Sequence, residues 1–342
     1  MIEFWYGALS AMLTTYVVLD GFDFGAGALN LFLARDDRER REILAAIGPV
    51  WDGNEVWLIA GGGTLFFAFP RAYAAGFSGF YLPLMLVLWL LGLRGIAIEL
   101  RSHLESPLWR AFWDAALCGA SALMALVLGV ALGNVLRGSP LDASGSFLAP
   151  WFTHFRPRGA TGVLDWYTLL VGAFALCALC AHGALFIAWR NDGAVRERAL
   201  RAARVLWPVV AAAGLLVIAA TTAVRPEIYR GLSSRPWAWP LALLALLGLC
   251  AALALRGRDL LAFLGSSAFL AGTLLATAAG LFPLLLPSTV DPAYHVTAQN
   301  AAAGEHGLRI GLVWWAMGMT LAVSYTAYVF RTLRGKAHAG EH

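Results

Sequence analysis

The segment Gly48–Gly63, with the sequence GPVWDGNEVWLIAGGG, places Asp52, Asn54 and Glu55 inside a hydrophobic run. A carboxylate in the interior of a membrane carries a large free-energy cost unless it is paired, hydrated or protonated. Two acids in the opening turns of one predicted span therefore mark a candidate site. We interpret the other spans as a scaffold that gives these acids neighbours and a partner surface.

The composition is that of a polytopic membrane protein. Of the 342 residues, 60% are hydrophobic and 13% are charged, and the mean hydropathy is +0.68. A soluble domain carries about 25% charged residues. The net charge is only +4, and the arginines cluster in short segments between apolar runs. That pattern is typical of membrane topology signals, so we expect no nucleic-acid partner.

Apolar windows of about 20 residues predict nine membrane spans and an all-α fold. They lie near residues 5–33, 49–70, 76–99, 112–136, 164–189, 205–224, 238–256, 260–284 and 308–331. Sixteen of the 25 Lys and Arg residues fall on one side of this arrangement and eight on the other, with Arg94 inside a span. Because cytoplasmic loops carry the excess of positive charge, the N-terminus is predicted outside and the C-terminus in the cytoplasm.

A short internal repeat predicts how the spans are grouped. Trp5–Tyr6 and Trp166–Tyr167 each open a span, and Pro49–Val50 and Pro208–Val209 each start the span after an arginine-rich loop. This favours two four-helix bundles in the same orientation plus one extra helix. The predicted units are a first bundle over 1–137, an outer loop over 138–163, a second bundle over 164–284, and an outer loop, ninth span and cytoplasmic tail over 285–342.

The first span contains two further acids, in the stretch Leu19–Gly25. Asp20 and Asp23 are three residues apart and share one helical face. Gly21 and Gly25 are four residues apart, a spacing that lets a neighbouring helix approach closely. We therefore predict a helix contact and a pair of buried acids on this span.

The third span brings Arg94 to the level of the acids in the second span, about 9 Å from its inner end. A buried arginine needs a carboxylate, so we expect Arg94 to pair with Asp52 or Glu55. Glu99 lies nearer the surface, which makes the acids a ladder of stepped depths. Two interpretations stay open: a structural ion-pair cluster that fixes helix register, and a proton relay.

His182 is the histidine that lies well inside an apolar run. An intramembrane histidine can ligate haem iron. A lone histidine among small residues is more often hydrogen-bonded to a backbone carbonyl, and we favour that structural role here.

Four segments together resemble subunit II of the bacterial cytochrome bd-type quinol oxidases. They are Leu19–Gly25 (LDGFDFG), Gly48–Leu58 (GPVWDGNEVWL), Ala74–Tyr81 (AAGFSGFY) and Phe282–Ser288 (FPLLLPS). The resemblance runs through the whole chain, including the nine spans and the doubled four-helix plan. The arginine-rich loops and short length look similar to the cyanide-insensitive branch of that family.

The resemblance implies a heterodimer with subunit I in the bacterial inner membrane, and a small single-span accessory subunit is a further partner to expect. Subunit I would ligate haems b558, b595 and d and carry the quinol-oxidising loop. The complex would oxidise quinol, reduce dioxygen to water with cytoplasmic protons, and work electrogenically without pumping. Subunit II would stabilise subunit I and line a proton route, contact membrane lipids, hold a structural quinone or lipid, and be inactive alone.

The resemblance also assigns roles to individual residues. Asp52 falls on the aspartate of the family's W-D-G-N motif, which is implicated in proton delivery near the subunit interface, with Trp51 beside it. Asp20 and Asp23 fall on the D-G-F-D pair. Glu55 stands where some relatives carry Gln, which argues against a requirement for a negative charge at this position. Because the family keeps its iron ligands on the other subunit, we expect neither His182 as a haem ligand nor a metal site in this chain.

Two other functions fit the intramembrane charges. A proton-coupled secondary transporter also places acids beside an arginine within the membrane. The chain could also be an inert scaffold. In that case only the carboxylate that pairs with Arg94 would have to stay charged, and the other intramembrane acids would tolerate replacement by amides.

Overall fold

The computed structural model describes residues 1–153, 155–156, 161–255, 257–332 and 335–337, and the fold is all-α apart from one short hairpin. Parts of the predicted loop 138–163 and of the predicted tail lie outside these ranges. The helices are α1 Ile2–Leu33, α2 Asp37–Ile47, α3 Trp51–Ala68, α4 Pro70–Gly79, α5 Tyr81–Leu100, α6 Pro107–Arg137, α7 Trp166–Arg190, α8 Gly193–Val224, α9 Glu227–Ser233, α10 Trp239–Ala254, α11 Asp259–Leu281, α12 Ala298–Ala301 and α13 Glu305–Thr332.

Eight helices in the described ranges are long and apolar enough to cross a membrane, namely α1, α5, α6, α7, α8, α10, α11 and α13. The remaining predicted span is α3, which has 18 residues. Asp52, Asn54 and Glu55 in its first turns lower its mean hydropathy, so composition alone does not class it with the others. The polytopic α-helical fold is confirmed.

Three span starts differ from the prediction by five residues or more, and one of them is that of α6, which begins at Pro107 and not at 112. The segment predicted as one span over 76–99 begins only at Tyr81, because α4 ends at Gly79 and α5 is a separate helix. Helix α8 begins at Gly193, twelve residues before the predicted start at 205. Its first turns are rich in arginine and lack the apolar window that predicts a span, yet they continue the same helix.

Helix α1 lies at the centre of the bundle, in contact with α3, α6, α7 and α11. Gly25 meets α7 so closely that a side-chain Cβ there would lie 2.9 Å from the Gly183 Cα and 2.8 Å from the Leu179 carbonyl carbon. The close helix approach predicted from Gly21 and Gly25 is confirmed. Helices in lipid associate through such tight packing, since the lipid itself is as apolar as their side chains.

The remaining helix contacts form two groups, which the contacts of α7 with α1 and α6 join together. Helix α1 packs on α3 and α6, and α5 packs on α6, while α7 packs on α8 and α11, and α10 packs on α11. Helix α13 lies against α1 and α3, where the Trp315 ring contacts the rings of Phe4 and Trp5. A short antiparallel pair, β1 Leu284–Leu286 and β2 Val296–Thr297, closes the predicted outer end.

Polar side chains tie the ends of the helices together. Asp165 caps α7 by accepting hydrogen bonds from the backbone of Tyr167 and Thr168. The same carboxylate pairs with Arg137 at the end of α6, which links the two groups of helices. A capped helix start and a buried ion pair at one position fix the direction in which α7 begins.

Replacing Gly25 with Leu should separate α1 from α7, because the added side chain would overlap the α7 backbone. We expect a loss of stability of about 3 kcal/mol, measured by unfolding of the protein purified from membranes in mild detergent. Gly7→Leu is the matched control, since Gly7 is on the same helix and a Cβ there meets nothing within 4 Å. Equal stability of the two variants would contradict the proposed packing.

Candidate functional site

Arg94 is the centre of a buried ion-pair cluster between α1, α3 and α5. Its side chain is 1% exposed. The Nη1 atom donates to Asp20 Oδ1 at 2.6 Å, and Nη2 donates to Glu55 Oε1 at 2.5 Å. The guanidinium lies over the Phe24 ring, 4.4 Å from its centroid. One arginine thus binds a carboxylate on each of two neighbouring helices: the expected Glu55, and Asp20, whose pairing the sequence did not indicate.

Asp23 joins this cluster through Asn54. The Asn54 Nδ2 atom donates to Asp23 Oδ2 at 2.8 Å and to the Leu19 carbonyl at 3.3 Å. Asn54 is 3% exposed and Asp23 is 1% exposed. In the sequence, Asn54 stands out only as a polar residue in a hydrophobic run, and no role was predicted for it. Asn54 follows Asp52 by two residues, which is a rotation of about 200° on a helix. It therefore lies on the face of α3 opposite to Asp52, where it faces α1.

Several polar atoms of the cluster are buried without a hydrogen-bond partner in the described part of the chain. They are Asp20 Oδ2, Asp23 Oδ1, Arg94 Nε and the hydroxyl of Tyr16. Tyr16 lies beside Asp20 without the geometry of a hydrogen bond. Buried polar groups without a protein partner are usually satisfied by ordered water. The cluster therefore has room for hydrogen bonds to water in addition to those that join the helices.

Asp52 lies outside this cluster. It is exposed, on the face of α3 opposite to the buried Asn54 and Trp57, and it has no ion pair among the residues that the structure describes. The neighbouring Trp51 ring packs over Gly95 of α5, 3.1 Å from the position of a Cβ there. The predicted pairing of Arg94 therefore goes to Glu55, while Asp52 points away from the bundle.

Glu99 is also exposed and separate from the buried acids. Its backbone carbonyl lies 3.0 Å from His103 Nδ1. The predicted ladder thus divides into two sets. Asp20, Asp23 and Glu55 surround Arg94, and Asp52 and Glu99 lie on the outer surface.

Asp52 belongs to an exposed apolar row on α3, which we call the α3 stripe: Asp52, Val56, Ile59 and Phe66. The three apolar members are 49%, 73% and 61% exposed. Lipid covers apolar side chains at no cost, whereas a carboxylate within the membrane needs water or a protein partner. The α3 stripe therefore has the chemistry of a protein interface more than of a lipid-facing surface.

His182 is fully buried on α7 and uses both ring nitrogens. Nε2 lies 3.0 Å from the Val18 carbonyl and Nδ1 lies 2.6 Å from Ser266 Oγ. The ring is stacked on Phe263, with the centroids 4.9 Å apart. Neither nitrogen is free to coordinate iron, so His182 does not fit a haem in this chain. The described residues contain no group of three His, Cys, Asp or Glu side chains arranged to hold a metal ion.

A second ionic cluster, which the sequence did not indicate, lies at the end of the bundle that is predicted to face the cytoplasm. Asp114 of α6 accepts from Arg101 Nε at 2.6 Å, from Arg40 Nη1 at 2.9 Å and from Asn30 Nδ2 at 3.4 Å. Arg101 also donates to Asp37 at 2.8 Å. Burial alone would raise the pKa of Asp37, but hydrogen bonds from the neighbouring arginines outweigh it and lower that pKa. This cluster joins α1, α2, α5 and α6 at one end of the bundle.

Replacing Arg94 with Met should destabilise the protein by about 3–5 kcal/mol, because Asp20 would remain buried without its cation. Unfolding in a titration with denaturing detergent measures the change. Arg309→Met is the control, since it breaks an exposed ion pair with Glu305 and should cost less than about 0.5 kcal/mol. Adding Asp20→Asn to Arg94→Met should recover part of the loss, and an additive double variant would contradict the pairing.

The sequence matches the family described as cytochrome bd terminal oxidase subunit II over residues 1–333. Cytochrome bd ubiquinol oxidase subunit 2 of Bacillus subtilis is 32% identical, and the match covers 90% of this chain and 88% of that protein. Cytochrome bd-I ubiquinol oxidase subunit 2 of Escherichia coli K12 is 31% identical, with 97% and 94% covered. The probable cytochrome oxidase subunit 2 of Haemophilus influenzae is 30% identical, with 98% and 94% covered.

A solved structure of the bd oxidase from Geobacillus thermodenitrificans contains a chain with a similar fold. The TM-score is 0.78 at 19% sequence identity, and the match covers 97% of this chain and 98% of that chain. This likeness concerns the fold. The family match over nearly the whole sequence shows that this chain belongs to the cytochrome bd terminal oxidase subunit II family.

Proposed function

We propose that this chain stabilises the haem-bearing subunit I of a terminal quinol oxidase and lines a proton route at the subunit interface. Family membership makes it a multi-pass inner-membrane subunit of an oxidoreductase complex that contains haem and subunit I. In the proposed reaction, quinol is oxidised and dioxygen is reduced to water with protons from the cytoplasm. Haems b558, b595 and d, which would supply the redox chemistry, are assigned to subunit I, in keeping with the hydrogen-bonded state of His182.

The observation that carries the proposal is the position of Asp52 on the α3 stripe. A carboxylate among exposed apolar side chains within the membrane is stable only against a protein surface or water. We infer that subunit I covers the α3 stripe, which would place Asp52 between the two subunits. A carboxyl group at such a boundary can take a proton from water on one side and pass it to the other.

Glu55 connects this surface with the buried acids. Its side chain is 21% exposed, whereas the Asp20 and Arg94 side chains next to it are at most 1% exposed. Arg94 is the cation among three carboxyl groups of the cluster, so the remaining negative charge must be neutralised by protons or solvated by water. We propose that Asp20, Asp23 and Glu55 hold protons and water behind the α3 stripe, with Tyr16 and Asn54 orienting them. In this scheme Asp52 is the relay, and Trp51 fixes its helix against α5.

The proposed orientation puts the N-terminus outside and the C-terminus in the cytoplasm. The arginine-rich start of α8 and the cluster around Asp114 then lie at the cytoplasmic end, where positive charge is favoured. Asp52, in the first turn of α3, lies at this same end. Protons from the cytoplasm would therefore reach Asp52 by a short path.

Replacing Asp52 with Asn should slow oxygen consumption by the purified complex by about tenfold to a hundredfold, because an amide cannot relay a proton. Asp52→Glu should retain most of the turnover, since it keeps the carboxyl group. Haem content and optical spectrum are measured beside turnover to separate proton delivery from assembly.

Glu305→Gln is the control, because Glu305 is an exposed acid at the opposite end of the bundle from Asp52. Normal turnover and normal spectra in Asp52→Asn would overturn the relay role. Loss of subunit I from the purified Asp52→Asn protein, with Asp52→Glu also failing to assemble, would assign Asp52 to the interface alone.

A further inference from the structure

A second feature lies on the other side of α7, away from α3. A partly open cavity of about 90 Å³ lies between α7, α8, α11 and the end of α10. Apolar side chains such as Leu185, Leu200 and Ala252 form most of its walls. Three polar side chains also line it: Arg204, Trp207 and Asp259. None of them takes part in the ion-pair cluster around Arg94.

The polar side chains of the cavity leave hydrogen-bonding groups unused. Trp207 is 2% exposed, and its Nε1 is buried with no hydrogen-bond partner in the described ranges. Asp259 Oδ2 accepts from Arg196 Nε at 2.6 Å, while Asp259 Oδ1 is buried and equally unpartnered. Arg204 is exposed, and no ion pair involves it among the described residues. The cavity therefore offers an unused donor, an unused acceptor and an unpaired cation.

The depth of the cavity corresponds to the boundary of the membrane. It lies where α10 ends at Ala254 and α11 begins at Asp259, so the chain turns back there. Arg204 is about 16 Å along α8 from its first residue, beyond the arginine-rich turns. Exposed apolar side chains follow at once on the same helix, with Val205 67% and Val209 45% exposed. Charged groups on one side and an apolar belt on the other are the surroundings of a lipid headgroup.

We propose that this cavity binds the headgroup of a zwitterionic phospholipid with a primary ammonium group, of the phosphatidylethanolamine type. Its phosphate would accept hydrogen bonds from Arg204 and from Trp207 Nε1. The ammonium would donate to Asp259 Oδ1, and the acyl chains would lie along Val205 and Val209. All three unused groups would then have partners of the correct kind.

The charges select this headgroup over other membrane ligands. An anionic phosphatidylglycerol headgroup would bring its phosphate to Arg204, but its hydroxyls would give Asp259 Oδ1 a neutral donor in place of a cation, so the charge-assisted hydrogen bond to the carboxylate would be lost. A choline headgroup carries no N–H to donate. A ligand without a phosphate would leave Arg204 and Trp207 unused.

The test uses the intact complex with subunit I, reconstituted in nanodiscs of equal parts phosphatidylethanolamine, phosphatidylglycerol and phosphatidylcholine. Lipids that stay bound to the complex are identified by native mass spectrometry. The wild-type complex should retain phosphatidylethanolamine over the other two by about tenfold, as expected for one charge-assisted hydrogen bond. Equal retention of the three lipids, or no retained lipid, would overturn the proposal.

Variants separate the two halves of the headgroup site. Arg204→Gln should reduce retention of every phospholipid, since it removes the phosphate partner. Asp259→Asn should remove the preference for phosphatidylethanolamine while phospholipids still bind. Retained preference in Asp259→Asn would contradict the ammonium contact.

Two controls exclude general structural effects. Arg201→Gln changes an exposed arginine one turn earlier on α8 that does not line the cavity, and it should leave retention unchanged. Arg196→Gln breaks the ion pair with Asp259 but leaves Oδ1 in place, so the preference should persist. Loss of preference in either control would overturn the assignment. Displacement of the lipid by soluble glycerophosphoethanolamine at equal concentration would also overturn it, in favour of a site for a soluble metabolite.

Discussion

The buried guanidinium of Arg94 is the interaction on which the arrangement of α1, α3 and α5 depends. A charge in a low-dielectric interior must be paired in good geometry, and a planar guanidinium can bind two carboxylates at once. Arg94 reaches Asp20 on α1 and Glu55 on α3 from its own position on α5. Three helices that are separate in sequence are thereby held at one relative height, because sliding any of them would leave a charge unpaired.

The first helix carries two different faces that make this cluster possible. Asp20 and Asp23 lie on the side that meets α3 and α5, while Gly25 lies on the side that meets α7 through Gly183. Close helix packing on the glycine side excludes lipid and supplies van der Waals contact. The acid side fixes how α1 is rotated and positioned against α3 and α5, since hydrogen bonds and ion pairs are geometrically specific. Together they explain why α1 lies at the centre of the bundle.

The same packing places the polar side chains of α3 in different surroundings. Asn54 and Trp57 turn inward, Glu55 lies at the edge and reaches Arg94, and Asp52 remains on the outer face. An outward carboxylate within the membrane is unfavourable in an isolated subunit and favourable against a partner. Family membership implies a complex with subunit I, and that complex would supply such a partner for Asp52.

The sequence by itself determined the membrane spans, their all-α character, the glycine contact of α1 and the set of intramembrane charges. These follow from local properties: hydropathy over about 20 residues, and a rise of about 1.5 Å per residue that places Arg94 level with Glu55. Only the tertiary structure decided that Arg94 binds Asp20 as well, that Asp52 faces outward, and that Asn30, Arg101 and Asp114 meet. Asp52 and Glu55 differ by only a small rotation about α3, so the packing of the whole helix against α1 selects the inner one. Asn30 and Asp114, 84 residues apart, meet because helices pack side by side, and no local pattern records which neighbour each helix will have.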